Sequence, residues 1–93
     1  MQNSIQEIID GIKNGYVFDS HFVIAQLIKF YSDAYLDFAS SINASSNKTL
    51  TVHGKIGLEI AKNEGSLIQR FPNKSWSENI HGNAGKCTCW QKK

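Results

Sequence analysis

The sequence predicts an α+β domain in which four short helices precede a C-terminal β-hairpin. Apolar residues recur at helical spacing before Gly65, and the period becomes extended beyond it. The 93 residues are 41% hydrophobic and 19% charged, so residues 1–93 are expected to form a single domain with one core. The predicted core contains apolar residues that repeat on one face of each helix: Ile8, Ile9, Phe22, Leu27, Ile28, Phe38, Ile56 and Ile60.

The first helix is predicted over residues 4–13, where four isoleucines follow the i, i+3, i+4, i+7 spacing of an amphipathic helix. These are Ile5, Ile8, Ile9 and Ile12. Asn3 or Ser4 is the expected cap, and Gly15 follows the end of the helix. Residues 16–18 then form a short extended connector.

Two further helices follow the connector. The Asp19-Ser20 pair supplies a capping oxygen for the second helix, which is expected to be the most buried. Its large apolar residues are Phe22, Val23, Leu27, Ile28, Phe30 and Tyr31. The Ser32-Asp33 pair indicates a break and a new cap for a short third helix. The same apolar pattern also permits one long helix over residues 20–42.

A loop is predicted over residues 43–48, which have no apolar periodicity and are rich in turn-forming residues. The fourth helix follows over residues 50–63, capped by Thr49 or Thr51 and stopped by Gly65. Its inward stripe consists of Val52, Ile56 and Ile60.

The C-terminal hairpin is predicted from residues 66–71 as one strand and residues 86–91 as its partner. Pro72 ends the first strand, because proline has no backbone N–H to donate to a sheet. The connecting segment over residues 72–85 is rich in asparagine and glycine and is predicted to be a loop. Connections of this length are commonly functional.

The net charge of +2 is distributed unevenly along the chain. Residues 1–48 contain three lysines and five acidic residues, for a net charge of −2. Residues 49–93 contain seven basic and three acidic residues, for a net charge of +4. A basic half that coincides with the fourth helix and the hairpin favours an anionic partner such as nucleic acid.

A cytoplasmic location is expected. The first ten residues are polar and acidic where a secretory signal needs a positive start and an apolar run. The longest apolar stretch, around residues 22–28, is far shorter than the roughly 20 residues of a membrane span. Cys87 and Cys89 are one residue apart, which does not close an ordinary disulfide in an extended strand, so reduced thiols are expected.

The order of three helices, a fourth helix and a hairpin resembles that of winged helix-turn-helix domains, from Ile5 to Trp90. The resemblance implies a winged-helix-like fold, in which the last helix lies in the major groove of DNA and the hairpin contacts the phosphate backbone. It assigns these roles to residues 50–63 and residues 72–86. The loop over residues 43–49 is longer than the usual turn of about 3 to 4 residues, which equally permits a helical bundle with an appended hairpin.

Four residues on the outer half of the fourth helix are candidate DNA contacts. They are Thr51, Lys55, Leu58 and Lys62. Lysines in and after the hairpin extend the basic surface, namely Lys74, Lys86, Lys92 and Lys93. Ammonium groups contact phosphates or guanine edges, and a threonine hydroxyl contacts either. The alternative is that these lysines only solvate the surface.

Two chemical hypotheses have less support. Zinc prefers thiolate and imidazole ligands, which are present as His53, His81, Cys87 and Cys89. Zinc sites favour two residues between paired cysteines, however, and this chain has one. His53, His81 and Glu78 are residue types that serve acid–base catalysis, but their spacing does not bring them together. We therefore predict no metal, no other cofactor and no catalysis.

The expected function is a nucleic-acid-binding module, with double-stranded DNA as the partner. The alternative is a small protein-binding adaptor or inhibitor, of the kind that phages and mobile elements encode. Such a protein covers the site of its partner with exposed aromatic residues and a long loop. The two alternatives differ in the salt dependence of binding, which is steep for phosphate contacts.

Overall fold

The computed structural model describes the backbone of residues 1–44, 46–72, 75–78 and 84–93, and the side chains of all these residues except 75–78 and 84–86. Helices and strands in these ranges confirm the α+β class. In chain order they are α1 (Gln2–Asp10), β1 (Val17–Asp19), α2 (Ser20–Phe30), α3 (Ser32–Ser40), α4 (Lys48–Ala61), β2 (Ile68–Arg70), β3 (Ser75–Glu78), β4 (Ala84–Cys87) and β5 (Cys89–Lys92).

Helix α1 begins and ends earlier than its apolar pattern predicts. It spans Gln2–Asp10, and Met1 is its N-cap, so the predicted caps at positions 3 and 4 are wrong. Gly11 is its C-cap. Four residues later, Gly15 adopts a left-handed conformation, with φ of 85°, and donates its N–H to the Lys92 carbonyl at 2.7 Å. A backbone tied to the last strand cannot continue the helix.

Helix α2 begins where the sequence predicts, because Asp19 caps it. The Asp19 Oδ1 atom accepts a hydrogen bond from the Phe22 N–H at 2.8 Å. Helices α2 and α3 are separate, since Tyr31 leaves the helical conformation with φ of −134° and ψ of 43°. The alternative of one long helix over residues 20–42 is therefore wrong.

Helix α4 begins at Lys48, two residues before the predicted start, and Asn47 is its N-cap. Asn47 has a left-handed φ of 49°, which asparagine adopts more readily than most residues. The predicted caps, Thr49 and Thr51, lie inside the helix instead. None of the helices in the described ranges has the length and apolar content needed to cross a membrane.

The main sheet has three antiparallel strands in the order β1-β5-β2. Strand β2 pairs with β5, as predicted for residues 66–71 and 86–91. The predicted partner strand is nevertheless divided, because Lys86 and Cys87 belong to β4 and pair with β3. Strand β1 pairs with the other edge of β5, with Phe18 opposite Trp90. Its sequence predicts only an extended connector, because three residues are too few to show an alternating pattern.

A second pair of strands occupies part of the segment predicted as one loop over residues 72–85. Strands β3 and β4 are antiparallel, with Ser75 opposite Cys87. The loop prediction is wrong for these residues, because backbone hydrogen bonds hold them in a ladder. Their sequences, Ser-Trp-Ser-Glu and Ala-Gly-Lys-Cys, contain no β-branched residue that signals a strand. We call residues 68–92, from β2 to β5, the hairpin.

The core is formed mainly by α1, α2 and α4, with side chains from the main sheet. Five predicted core residues are buried: Ile8, Ile9, Leu27, Ile56 and Ile60. Ile28 and Phe38 are partly buried and pack against the core. The prediction is wrong for Phe22, which is 41% exposed, because α2 turns Val23 and Ile24 inward instead.

We expect Leu27→Ala to lower the free energy of unfolding by about 2–5 kcal/mol, because it removes a fully buried side chain and leaves a cavity. Phe22→Ala is expected to lower the free energy of unfolding by clearly less, since the phenyl ring is already in contact with water. Urea denaturation followed by circular dichroism measures both losses. Equal losses in the two variants would contradict the orientation of α2.

Candidate functional site

Helix α4 presents one buried face and two exposed flanks. Val52, Ile56 and Ile60 are at most 1% exposed and pack into the core, as the sequence predicts. Successive helical residues are rotated by about 100°, so a flank lies on either side of this buried stripe. One flank carries lysines, and the other carries leucines and glycines.

Three exposed lysines lie on one line along α4 and its C-cap, which is Lys62. Lys48, Lys55 and Lys62 are seven residues apart, so about two helical turns, or about 10.5 Å, separate neighbouring members. We call them the lysine stripe. Lys48 belongs to the loop predicted over residues 43–48, so it is not among the candidate contacts. Its spacing of seven residues from Lys55 is a sequence signal that could identify it.

Thr51 and Leu58, the other candidate contacts on α4, lie beside the lysine stripe. Thr51 is partly exposed, and its hydroxyl donates a hydrogen bond to the Asn47 carbonyl at 3.4 Å. Leu58 is 67% exposed and separates the lysine stripe from the opposite flank. The fold thus brings all four predicted residues of α4 onto one exposed surface.

Lys62 forms an ion pair with Glu59, one turn earlier on α4. The hydrogen bond from Lys62 holds the pKa of Glu59 below its ordinary value of 4.5, although burial opposes this effect. The Gln2 amide donates to the same carboxylate at 3.4 Å and also lowers its pKa. One charge of the lysine stripe is therefore partly neutralised within the protein.

The structure describes the candidate lysines of the hairpin to different extents. Lys74 lies outside the described residues, and Lys86 is in β4 with its side chain outside them. The Lys92 ammonium donates to the Ile9 carbonyl at 3.1 Å, which fastens β5 to the end of α1. Lys92 is therefore a structural contact, and its predicted role in DNA binding has no geometric support from α4.

A groove lies along the other flank of α4, between this helix, the start of α2 and the strands. Its volume is about 440 Å³. Leu50 and Leu58 line it from α4 and are 70% and 67% exposed. Gly54 and Gly57 lie between them, and Arg70 contributes from β2. Among the described residues that line this α4 groove, none is acidic.

Helix α3 holds one side chain of the α4 groove in place. The Tyr35 hydroxyl lies 2.9 Å from Nε2 of His53, which lines the groove. Burial raises the pKa of Tyr35, so its hydroxyl remains protonated at neutral pH. The contact connects two helices that the sequence predicts separately, and no sequence pattern identifies it.

The metal and acid–base hypotheses gain no geometric support. Within the described part of the chain, no three histidine, cysteine, aspartate or glutamate residues are grouped as metal ligands. His81 and the side chain of Glu78 lie outside the described residues. Cys87 and Cys89 do not form a disulfide with each other.

Comparisons of the chain with protein-family models, with curated proteins and with solved structures found no match. The lysine stripe, the α4 groove and the hairpin therefore carry the functional interpretation. This interpretation rests on the charge and shape of these surfaces and not on similarity to a known protein.

We expect Lys62→Gln to raise the pKa of the Glu59 carboxyl towards 4.5, because the main group that stabilises its charged form is removed. Since the folded pKa lies below the unfolded one, the ion pair stabilises the fold above about pH 4.5 and loses this effect as the pH falls through the folded pKa. A carboxyl-detected NMR titration measures the pKa. An unchanged value in the variant would show that Lys62 is not the partner.

Proposed function

We propose that the domain binds nucleic acid, with double-stranded DNA as its partner, through α4 and the hairpin. The lysine stripe is the observation that carries this proposal. Lys48, Lys55 and Lys62 lie on one line along a flank of α4 and its C-cap, and the neighbouring face of the helix is fixed in the core. Ammonium groups spaced along a rigid helix are suited to successive phosphates or guanine edges of a duplex.

The arrangement of elements supports a winged-helix-like mode of binding. Helix α4 leads through a short turn into β2, and β2 is hydrogen-bonded to β5 in the same sheet as β1. The helix and the hairpin are thereby held next to each other. In this mode α4 enters the major groove and the hairpin contacts the phosphate backbone.

The individual residues have separate roles in the proposal. Lys55 and Lys62 contact phosphates or guanine edges, and Thr51 and Leu58 lie against the bases or sugars between them. Two lysines of the hairpin, Lys74 and Lys86, extend the contact along the backbone, whereas Lys92 holds β5 against the end of α1. The proposal places this binding in the cytoplasm and includes no cofactor, no metal and no catalytic step.

We expect the protein to bind random duplex DNA with an affinity that falls steeply as salt increases. Replacing both Lys48 and Lys55 with glutamate should make the negative slope of log K against log salt less steep by about two units. The affinity at 0.15 M salt should fall more than about thirtyfold, because two contacts are lost and two repulsive carboxylates are added. Fluorescence anisotropy over a salt series measures both quantities.

The matched control replaces Lys13 and Lys29 with glutamate, which makes the same change of charge in the acidic half of the chain. This control should bind almost as well as the wild type. Circular dichroism establishes that both double variants are folded. Equal losses in the two double variants, or no loss in either, would remove α4 as the binding surface.

A protein-binding adaptor or inhibitor is the second candidate function. The observation that favours it is an apolar patch around β1 and α2. Tyr16 and Phe30 are 59% and 61% exposed, and Val17 and Phe22 are 45% and 41% exposed. Two adjoining shallow pockets share Phe22 and Ile12 in their linings. Exposed aromatic side chains in such clusters commonly anchor protein partners.

For this second candidate, the informative variant is Phe30→Ser combined with Tyr16→Ser. A protein recovered with the wild type from cell extract, but not with this variant, would support the adaptor. The double glutamate variant of Lys48 and Lys55 should still recover it, because its substitutions lie on α4 rather than on the patch. Recovery with the serine variant as well would argue against the patch as the binding surface.

A further inference from the structure

The fold does not require glycine at the two glycine positions of the α4 groove. Gly54 and Gly57 lie inside a helix of 14 residues, where glycine is less stable than alanine. Neither has a positive φ, since the described glycines with that conformation are Gly15 and Gly65. A Cβ atom added at Gly54 or Gly57 would meet no atom within 4 Å. The space in front of both glycines is therefore open for a ligand to approach the helix backbone.

Arg70 provides the strong positive charge of the α4 groove. Its guanidinium carbon lies 5.0 Å from the centre of the Trp90 ring, which is 1% exposed and fixed in the core. Stacking of this kind holds a guanidinium in one orientation. Glu64 lies 3.4 Å from the guanidinium, but both side chains are about half exposed. Salt and water weaken such a pair, so that a phosphate can replace it.

The lining of the α4 groove matches the chemistry of a sugar-phosphate chain. Leu50 and Leu58 offer apolar walls, Arg70 offers a cation, and the described lining residues include no carboxylate. A nucleic-acid strand likewise alternates apolar sugar faces with anionic phosphates. The groove is also continuous with the proposed binding surface, since Leu58 borders both the groove and the lysine stripe.

From these features we infer that the α4 groove seats the sugar-phosphate backbone of one strand of the bound nucleic acid. Arg70 binds a phosphate of that strand, and Gly54 and Gly57 let the sugars approach α4 closely. The inference rests on the proposed function and extends it, because it adds a contact from the base of the hairpin that none of the candidate lysines provides.

The test measures binding of a random DNA duplex over a salt series. Arg70→Gln should make the negative slope of log K against log salt less steep by about one unit. It should also lower the affinity at 0.15 M salt by about fivefold. Arg70→Lys, which keeps the charge, should restore the slope. Lys13→Gln is the matched control, because Lys13 also lies over an aromatic ring, Tyr16, at 5.9 Å. It should leave the slope unchanged.

Gly57→Ala tests whether the strand occupies the α4 groove without lowering the stability of the fold. Alanine fits without a clash and favours the helix, so the melting temperature should rise. Its methyl group should nevertheless weaken duplex binding several-fold, because it occupies the space that the strand needs. A variant that is more stable but binds more weakly cannot be explained by loss of fold.

The outcomes distinguish the inference from the proposed function. If the glutamate variants of the lysine stripe weaken binding while Arg70→Gln and Gly57→Ala do not, the inference is wrong and the proposed function stands. If the wild type does not bind the duplex, both are wrong. A parallel titration with thymidine monophosphate tests whether the groove binds the phosphate of a free nucleotide instead. Arg70-dependent binding of this nucleotide without duplex binding would make the groove a site for free nucleotides and overturn the inference.

Discussion

The pairing of β5 with two strands from distant parts of the chain is the constraint on which the structure depends. β5 hydrogen-bonds to β1 on one edge and to β2 on the other, so the end of the chain joins the α1–α2 connection to the strand that follows α4. Trp90 reinforces this junction: it is 1% exposed, and its Nε1 donates to the Ser20 hydroxyl at 3.2 Å. A buried indole N–H without such a partner would be costly, so the start of α2 and β5 are fixed together.

This constraint also determines which parts of α4 face solvent. The core holds Val52, Ile56 and Ile60, and the turn after α4 leads directly into β2 beside β5. The helix therefore cannot rotate about its axis, and its basic flank and its apolar flank face different directions. The lysine stripe faces one side, and the α4 groove opens on the other, towards the strands. The proposed function needs the lysine stripe in this fixed relation to the hairpin, and the inference about the bound strand needs the α4 groove there as well.

Local patterns predict part of the structure, although the caps expected for α1, α3 and α4 are wrong. Features that depend on distant contacts are mostly not predicted. The Asp19 cap and the α2–α3 break are local and are confirmed, whereas β1 becomes a strand only because β5 pairs with it. Phe22 shows the limit of helical periodicity, since α2 has more apolar residues than its buried face can hold. The sequence does not predict Arg70 as a contact, because only the fold brings β2 beside α4.

Amide chemical shifts of the labelled protein, followed as a random DNA duplex is added at low salt, test the central claim most directly. We expect the largest changes along the outer half of α4, at the lysine stripe and Leu58, with further changes at Arg70 on the hairpin. The patch around Tyr16 and Phe30 should change little. Changes confined to that patch, or no changes at a salt concentration that favours phosphate contacts, would contradict the binding surface described above.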